Sequence, residues 1–297
     1  MKTLNPLILA TALSLAQAGA PVFAQSDGIP VTSMSPLRGI GGDARQFDQQ
    51  SKLQYDQLLS QAQQKNALLP ANHPQVQRVR AIAKRLIPFT ARWNPEAANW
   101  KWEVNVLNSG TVNAFCMPGG RIAFFSGILT KLNLTDDEVA MVLGHEIAHA
   151  LREHAREQAG KNAITSLGTR LLGAGLSAYF GVDPRLGDVG SNIATQGLAL
   201  TYSRSDESEA DLVGLDLASR AGYDPRAGVA LWEKMSQINQ SQPLPFLSTH
   251  PTGSQRIADM SQAMPKVLPV FARARGLDTN ALPVYHSIAL PPQPSQR

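Results

Sequence analysis

The feature that most constrains this chain is the pentapeptide His145-Glu146-Ile147-Ala148-His149, which has the pattern H-E-x-x-H. Residues four apart lie on the same face of an α-helix, so both imidazoles can reach one metal ion. Glu146 lies beside that face, close enough to act on a water molecule held by the metal. The pattern is therefore typical of a zinc hydrolase. The alternative is a solvated helix that carries two histidines and no metal.

The residues around the motif favour the metal site. Thr135 to Glu138 form a predicted capping box, so we expect a helix from Asp136 through the motif to about Glu157. The helix is apolar on most sides, which predicts that it is buried, and buried histidines need polar partners. His154, beyond the pair, is predicted to be a surface histidine at the helix end, where a positive charge suits the helix dipole.

A third ligand is expected from the segment Tyr202 to Asp211, which opens another helix. A catalytic zinc site usually takes three protein ligands and leaves one position open. Glu207 and Asp211 are four residues apart, so Glu207 can bind the metal while Asp211 accepts a hydrogen bond from a ligand histidine. Glu209 is the rival ligand, and an ordinary acidic helix N-terminus is the alternative to any ligand.

Four blocks together resemble the gluzincin zinc metallopeptidases of the HtpX, CAAX prenyl protease and BepA type. They are the H-E-x-x-H motif, the acidic segment Glu207 to Asp211, the segment Asn113 to Ile122, and Ser248 to Pro251 followed by Arg256. The resemblance covers roughly residues 75 to 265, with the blocks in family order. It implies an α+β, predominantly helical fold, with a zincin-like domain and a small β-sheet edge beside the H-E-x-x-H helix. No tetratricopeptide repeat is expected.

The resemblance also assigns roles to residues. It implies one Zn²⁺ per chain, bound by His145, His149 and Glu207, with Glu146 as the general base. The catalytic residues that it implies besides Glu146 are Asp211, His250 and Arg256. His250 and Arg256 are expected near the oxyanion of the transition state, where they would stabilise its charge. Alternatively, His250 occupies the open zinc position and holds the enzyme silent.

A strand predicted at Arg121 to Ser126 follows a turn and an earlier strand from Trp100 to Leu107. Many peptidases bind substrate as an added strand along a sheet edge. The residues predicted to bind substrate in this way are Asn113, Ala114, Phe115, Arg121, Ile122 and Ala123. A plain hairpin that packs on the zinc helix is the competing interpretation. Cys116, the single cysteine, is predicted to be a buried small residue, with a reactive thiol as the alternative.

Residues 1–24 are predicted to be a secretory signal peptide, because Lys2 precedes a short apolar stretch and Val22-Phe23-Ala24 suits cleavage before Gln25. This interpretation predicts an exported protein of the periplasm. Residues 25–44 are expected to be extended or disordered, residues 45–268 to form the metallopeptidase domain, and residues 269–297 to form a Pro-containing tail. The apolar segment from Ala163 to Phe180 is expected to pack on the catalytic helix, with a lid or a membrane contact as the alternative.

The composition of the chain argues against a nucleic-acid-binding protein and against a membrane-spanning protein. The chain is 43% hydrophobic and 17% charged, with a formal net charge of +4. Its basic residues are dispersed, and the densest group, between Arg78 and Arg85, is typical of the solvated face of a helix rather than a nucleic-acid groove. No transmembrane segment is predicted, although peripheral association with a membrane is compatible with this charge. The oligomeric state is not specified by the sequence.

Two functional hypotheses follow. In the first, the chain is an exported zinc endopeptidase that hydrolyses unfolded or misassembled envelope proteins, with a zinc-bound water activated by Glu146. In the second, it is a zinc-stabilised chaperone or assembly factor whose metal is structural, with His250 closing the coordination shell. Hydrolysis is favoured, because a closed structural site rarely places a carboxylate such as Glu146 beside the metal.

Overall fold

A computed structural model of the chain describes residues 27–165, 202–241, 244–251 and 253–290. The predicted signal peptide, most of the apolar segment from Ala163 to Phe180 and the loop that follows it lie outside these ranges. The α-helices and β-strands of the described residues are, in chain order, α1 Leu37–Ile40, α2 Ala44–Gln64, α3 Pro74–Leu86, β1 Glu103–Leu107, β2 Ala114–Met117, β3 Arg121–Phe125, α4 Ser126–Lys131, α5 Asp136–Leu151, α6 His154–Thr165, α7 Arg204–Arg220, α8 Ala227–Ser241, α9 Pro245–Thr249 and α10 Ser254–Arg275. Short 3₁₀ helices span Ile87–Arg92, Pro95–Asn99 and Thr279–Ala281. The expected predominantly helical fold with a small sheet is confirmed.

The sheet has the strand order β1-β3-β2, so β3 is its central strand. β1 pairs with β3 in parallel and β2 pairs with β3 antiparallel, with Phe115 opposite Ala123. The outer side of β1 is covered by the segment before α3, where Leu68 pairs with Leu107 and the Leu69 amide donates to Val106. Within the described part of the chain, β2 therefore carries the free edge of the sheet.

Helices cover both faces of the sheet. Alternate side chains of a strand point to opposite faces, and Cys116 and Ile122 accordingly lie in the main apolar core with α3 and α5. Phe115 and Met117 point the other way and pack with Phe47 of α2. The edge strand β2 is thus fixed between two apolar layers, directly beside the helix that carries the H-E-x-x-H motif.

Helix α5 begins as predicted and ends earlier than predicted. The Thr135 hydroxyl accepts from the Glu138 amide, and the Glu138 carboxylate accepts from the Thr135 amide, so the capping box is present. The expected continuation to about Glu157 is wrong, because α5 ends at Leu151 and Glu153 adopts a left-handed backbone conformation with φ of 56°. The chain turns there, and α6 starts at His154 in a new direction.

Helices α5 and α7 cross at two glycines. A Cβ atom on Gly144 would lie 2.9 Å from the carbonyl oxygen of Gly214, and a Cβ on Gly214 would lie 2.9 Å from the amide nitrogen of His145. Only glycine allows two helix backbones to approach this closely. The crossing places the H-E-x-x-H motif of α5 next to the acidic first turns of α7.

Both ends of the described chain pack on this core. Residues 27–36, called here the N-terminal strap, belong to the segment 25–44 that was predicted to be extended or disordered. The Ile29 amide donates to Asp216 and the Thr32 hydroxyl donates to Glu209. At the other end, the Tyr285 hydroxyl lies 3.0 Å from the Thr135 hydroxyl. Across the described residues, the helices lack the combination of length and apolar composition that a membrane span requires.

Candidate metal centre

Four buried side chains from three parts of the fold converge beside β2. They are His145 and His149 on α5, Glu207 on α7, and His250 directly after α9. Each offers one ligand atom, and these atoms all lie within 4.8 Å of one another. The Nε2 atom of His145 lies 3.1 Å from Nε2 of His149 and 3.2 Å from Nδ1 of His250, which in turn lies 3.0 Å from Oε1 of Glu207.

Hydrogen bonding shows that this cluster fits a zinc ion. Nδ1 of His145 lies 3.0 Å from the carboxylate of Asp211, which can only accept, so Nδ1 carries a proton. In the neutral ring, the form that binds a metal, Nε2 then presents a lone pair. That lone pair faces Nε2 of His149 at 3.1 Å. A cation bound by both nitrogens removes the repulsion between their lone pairs. The buried Oε1 of Glu146 has no hydrogen-bond partner among the described residues. Imidazole nitrogens with a carboxylate are a donor set that zinc prefers.

Arg256 holds the two carboxylates of α7. Its guanidinium makes two contacts with Asp211, of 2.6 and 2.7 Å, and a third of 2.7 Å with Glu207. It also lies 3.9 Å from the ring centroid of Trp232. The resemblance implies that Arg256 lies near the oxyanion. Its contacts in the structure are with buried carboxylates, which require a compensating cation. Arg256 therefore orients the ligand Glu207 directly and the ligand His145 through Asp211.

The charges of the cluster shift the pKa values of its members. Burial lowers the pKa of His145, but hydrogen bonds and attraction to Asp211 and Glu207 outweigh it and raise that pKa to about 9. Burial raises the carboxyl pKa values of Glu207 and Asp211, and the histidines and Arg256 around them more than reverse this effect. Burial raises the pKa of Glu146 above its ordinary value, which makes it a stronger base.

His149 has partners that sequence reasoning did not identify. Its ring stacks on Tyr202 with centroids 4.0 Å apart, and its Nδ1 lies 2.9 Å from Nδ1 of His154. The prediction that His154 is a surface residue is wrong, since it is fully buried. Glu209, the rival ligand, lies 2.9 Å from Nε2 of His154 and outside the metal cluster. These contacts form because the chain turns after Leu151. The prediction assumed one continuous helix, and residue spacing along a helix does not show where the helix ends.

A cleft of about 250 Å³ opens beside the cluster. Its lining includes Glu146, His149 and His250, together with an apolar wall. That wall contains Phe47, Trp100, Phe115, Met117 and Tyr202. The cleft thus joins the candidate metal centre to the edge strand β2.

The six predicted substrate-binding residues fall into two groups. Phe115 lines the cleft, Ala114 is on the edge strand, and Asn113, just before it, accepts from the Ala114 amide. Arg121, Ile122 and Ala123 are on the central strand β3, so they do not form an exposed edge. Arg121 instead contacts Asp48 at 2.7 Å. This part of the prediction is wrong, because the parallel pairing with β1 occupies the second side of β3.

The single cysteine is buried, as expected. The Sγ atom of Cys116 lies 3.6 Å from the carbonyl oxygen of Met117, at the edge of the cleft. Burial, reinforced by the charge of Glu146, raises the pKa of the thiol. The thiol is therefore protonated at neutral pH.

Comparison with known proteins identifies relatives. The family model described as peptidase family M48 matches residues 70–264. The mitochondrial metalloendopeptidase OMA1 of Schizosaccharomyces pombe is 30% identical over 254 residues, which cover 85% of this chain and 70% of that protein. OMA1 of Saccharomyces cerevisiae is 34% identical over 234 residues, covering 74% of this chain and 64% of that protein. The metalloprotease LoiP of Escherichia coli is 27% identical over 222 residues, covering 73% and 81% respectively.

These relatives overturn one prediction and confirm another. The periplasmic localisation inferred from residues 1–24 is wrong, because the relatives include proteins named as mitochondrial in yeasts, a plant and vertebrates. A lysine followed by a short apolar stretch does not by itself specify a compartment. The resemblance to the gluzincin peptidases is confirmed by the family match and by the converging ligand set. The chain is a metallopeptidase that belongs to peptidase family M48, whose members depend on zinc.

Proposed function

We propose that this chain is an endopeptidase that hydrolyses peptide bonds in unfolded or misassembled proteins, and so acts in protein quality control. The observation that carries the proposal is the position of Glu146. Its carboxylate is buried beside the cluster of His145, His149 and Glu207 and lines the cleft that reaches β2. Oε1 of Glu146 accepts no hydrogen bond from the described residues. A base, a metal site and a place for an extended chain are thus adjacent.

The edge strand supports an extended substrate. The Phe125 amide donates to the carbonyl of Asn113. In an antiparallel pair every second residue directs its N–H and C=O groups at the partner strand, so Phe115 and Met117 also direct these groups towards β3. The main-chain groups of Cys116, between them, point to the free edge. An added strand binds there through backbone hydrogen bonds, which grip many sequences but require that the substrate be unfolded locally.

The roles of the side chains follow from their contacts. His145, His149 and Glu207 would hold the zinc ion, which would act as a Lewis acid for the scissile carbonyl and lower the pKa of water. Glu146, a base strengthened by burial, accepts a proton from the attacking water and delivers it to the leaving nitrogen. Asp211 fixes the tautomer of His145 through the 3.0 Å contact with its Nδ1.

His250 is assigned one of two roles. Its Nδ1 lies among the ligand atoms, and its Nε2 lies 3.6 Å from Oε1 of Glu146. As a hydrogen-bond donor it would stabilise the developing oxyanion. As a fourth ligand it would close the site and keep the enzyme silent. The His250→Ala variant separates the two, since cleavage falls in the first case and rises in the second.

The position of His250 also supports a second function. Three histidines and one carboxylate can complete a four-coordinate, closed structural site. The chain would then be a zinc-stabilised chaperone or assembly factor that binds unfolded proteins with little cleavage. Glu146 would have no chemical role in that case.

The test compares casein cleavage by the unaltered chain with that by Glu146→Gln, with zinc content measured on both. The matched control is Glu233→Gln, which changes an exposed glutamate of α8. We expect Glu146→Gln to keep its zinc and lose cleavage, and Glu233→Gln to keep both. Retained cleavage in Glu146→Gln would contradict the peptidase mechanism, and tight casein binding without cleavage by any variant would favour the chaperone.

A further inference from the structure

A series of polar contacts runs outwards from His149, behind the metal cluster. Nδ1 of His149 lies 2.9 Å from Nδ1 of His154, and Nε2 of His154 lies 2.9 Å from Oε2 of Glu209. Oε1 of Glu209 lies 2.9 Å from Nη2 of Arg152 and accepts from the hydroxyl of Thr32 at 3.0 Å. The series therefore connects the N-terminal strap to the second histidine of the motif.

The carboxylate of Glu209 forms an ion pair with Arg152. Oε1 of Glu209 lies 2.9 Å from Nη2 of Arg152, and because a guanidinium has only donors, the carboxylate oxygen accepts. An ionised carboxylate has no proton to donate. Both of its oxygens therefore accept, one from Arg152 and Thr32 and the other from His154.

The direction of every proton in the series follows from that charge and from metal binding at His149. Because Glu209 only accepts, Nε2 of His154 carries a proton. When Nε2 of His149 binds the metal, Nδ1 of His149 carries that ring's proton, so Nδ1 of His154 is the acceptor of the contact between the two rings. Nε2 of His149 is left with its lone pair directed at the ligand atoms of the cluster.

We propose that His154 and Glu209 are positioning residues that fix the tautomer and orientation of the ligand His149. The inference rests on the proposed metal site. Asp211 performs the equivalent task for His145 by direct contact. For His149 the carboxylate acts through an intervening imidazole, and stacking on Tyr202 restrains the ring plane without selecting which nitrogen carries the proton.

Burial supports a positioning role over a packing role. His154 is fully buried and Arg152 is 2% exposed. A buried polar ring is costly unless its nitrogens are hydrogen-bonded, and here both nitrogens of His154 are used, one towards the ligand and one towards the carboxylate. An apolar side chain would fill the same space without ordering His149.

The test measures Zn²⁺ affinity by competition with a chromophoric chelator at fixed neutral pH. The variants are His154→Leu, His154→Gln and Glu209→Ala, with His286→Leu as the matched control because His286 is exposed. Loss of a partner of a ligand histidine typically weakens metal binding about 10- to 100-fold, which we expect for His154→Leu. Glu209→Ala should weaken binding in the same direction, and His286→Leu should not change it.

The glutamine variant separates positioning from packing. The side-chain amide of His154→Gln has an oxygen that can accept from His149 and a nitrogen that can donate to Glu209, so this variant should recover most of the affinity. The visible spectrum of the Co²⁺-loaded protein should change in His154→Leu and resemble the parent in His154→Gln. Equal affinity loss and equal spectra in the two His154 variants would overturn the proposal.

Two further outcomes are distinguishable. If His154→Leu binds Zn²⁺ within about twofold of the parent, well short of the usual effect, the proposal for His154 fails while the metal site stands. If the unaltered chain itself binds no Zn²⁺, the proposed metal site fails first, and the inference fails with it. Should His154→Leu not fold, Glu209→Ala carries the test, because the side chain of Glu209 is one-third exposed and the variant keeps His154 in place.

Discussion

Replacing Arg256 with methionine removes the cation that compensates two buried carboxylates. The guanidinium contacts Asp211 at 2.6 and 2.7 Å and Glu207 at 2.7 Å. The side chains of all three residues are at most 6% exposed, so solvent screens these interactions very little. Methionine is long enough to keep apolar contact with Trp232, and the substitution therefore removes mainly the charge.

The magnitude follows from that burial. Removing one partner of a buried ion pair costs about 3–5 kcal/mol, because an uncompensated charge remains in the interior. We expect the free energy of unfolding of the metal-free Arg256→Met protein to fall by about this amount. In a domain of this size each kcal/mol lowers the melting temperature by about 2–4 °C. The loss should be smaller in zinc-loaded protein, because the metal ion compensates the charge of Glu207.

The assay is urea unfolding of the metal-free and zinc-loaded proteins, with the midpoint compared at constant slope. Arg78→Met is the matched control, since Arg78 pairs with Asp136 at 2.6 Å but the Asp136 side chain is 64% exposed. Such a partly exposed pair contributes at most about 1 kcal/mol. If Arg256→Met costs no more than Arg78→Met, the argument that Arg256 stabilises the ligand carboxylates is refuted.

Two other predictions concern the helix crossing and the protonation of the first ligand. Gly144→Ala should destabilise the protein by about 1–3 kcal/mol despite the better helix propensity of alanine, because the new Cβ would lie 2.9 Å from the Gly214 carbonyl oxygen. Gly39→Ala, where a Cβ meets open space, is the control, and equal urea midpoints for the two variants would exclude the steric argument. Zinc binding at pH 7 should displace about one proton from His145, whose pKa is about 9 in the metal-free site. The contribution of His145 makes zinc affinity rise with pH up to about pH 9 and level off above it. Calorimetry in buffers of different ionisation enthalpy measures the protons released, and release of only about a quarter of a proton at pH 7 would show that His145 has its ordinary pKa of 6.5.

The sequence predicted the parts of the site that depend on local geometry. The spacing of His145 and His149 and the capping box at Thr135 are properties of a single helix, and both appear in the structure. A contact between Asp211 and a ligand histidine was also expected from side-chain chemistry, and the structure identifies that histidine as His145. These features depend on the helical repeat and on side-chain chemistry, which a sequence displays directly.

The features that were missed depend on how the chain turns. His154 was expected at the surface because it falls near the predicted end of one continuous helix, but Glu153 adopts a left-handed conformation and α6 starts in a new direction. Arg121 was placed on an edge strand because the sequence shows a strand after a turn, but it does not show that this strand pairs with β1 on one side and with β2 on the other. A local pattern does not specify a long-range pairing or a helix end set by tertiary contacts.

The most direct test of the account is a zinc titration of the metal-free protein, with casein cleavage followed at each addition. The account predicts no cleavage without zinc, a linear rise, and a plateau at one equivalent per chain. The Glu207→Gln change weakens one ligand of the cluster and so lowers zinc affinity. Cleavage by this variant should therefore reach its plateau only with excess zinc. Cleavage by the metal-free protein, or a Glu207→Gln titration identical to that of the unaltered chain, would contradict the assignment of this cluster as the catalytic zinc site.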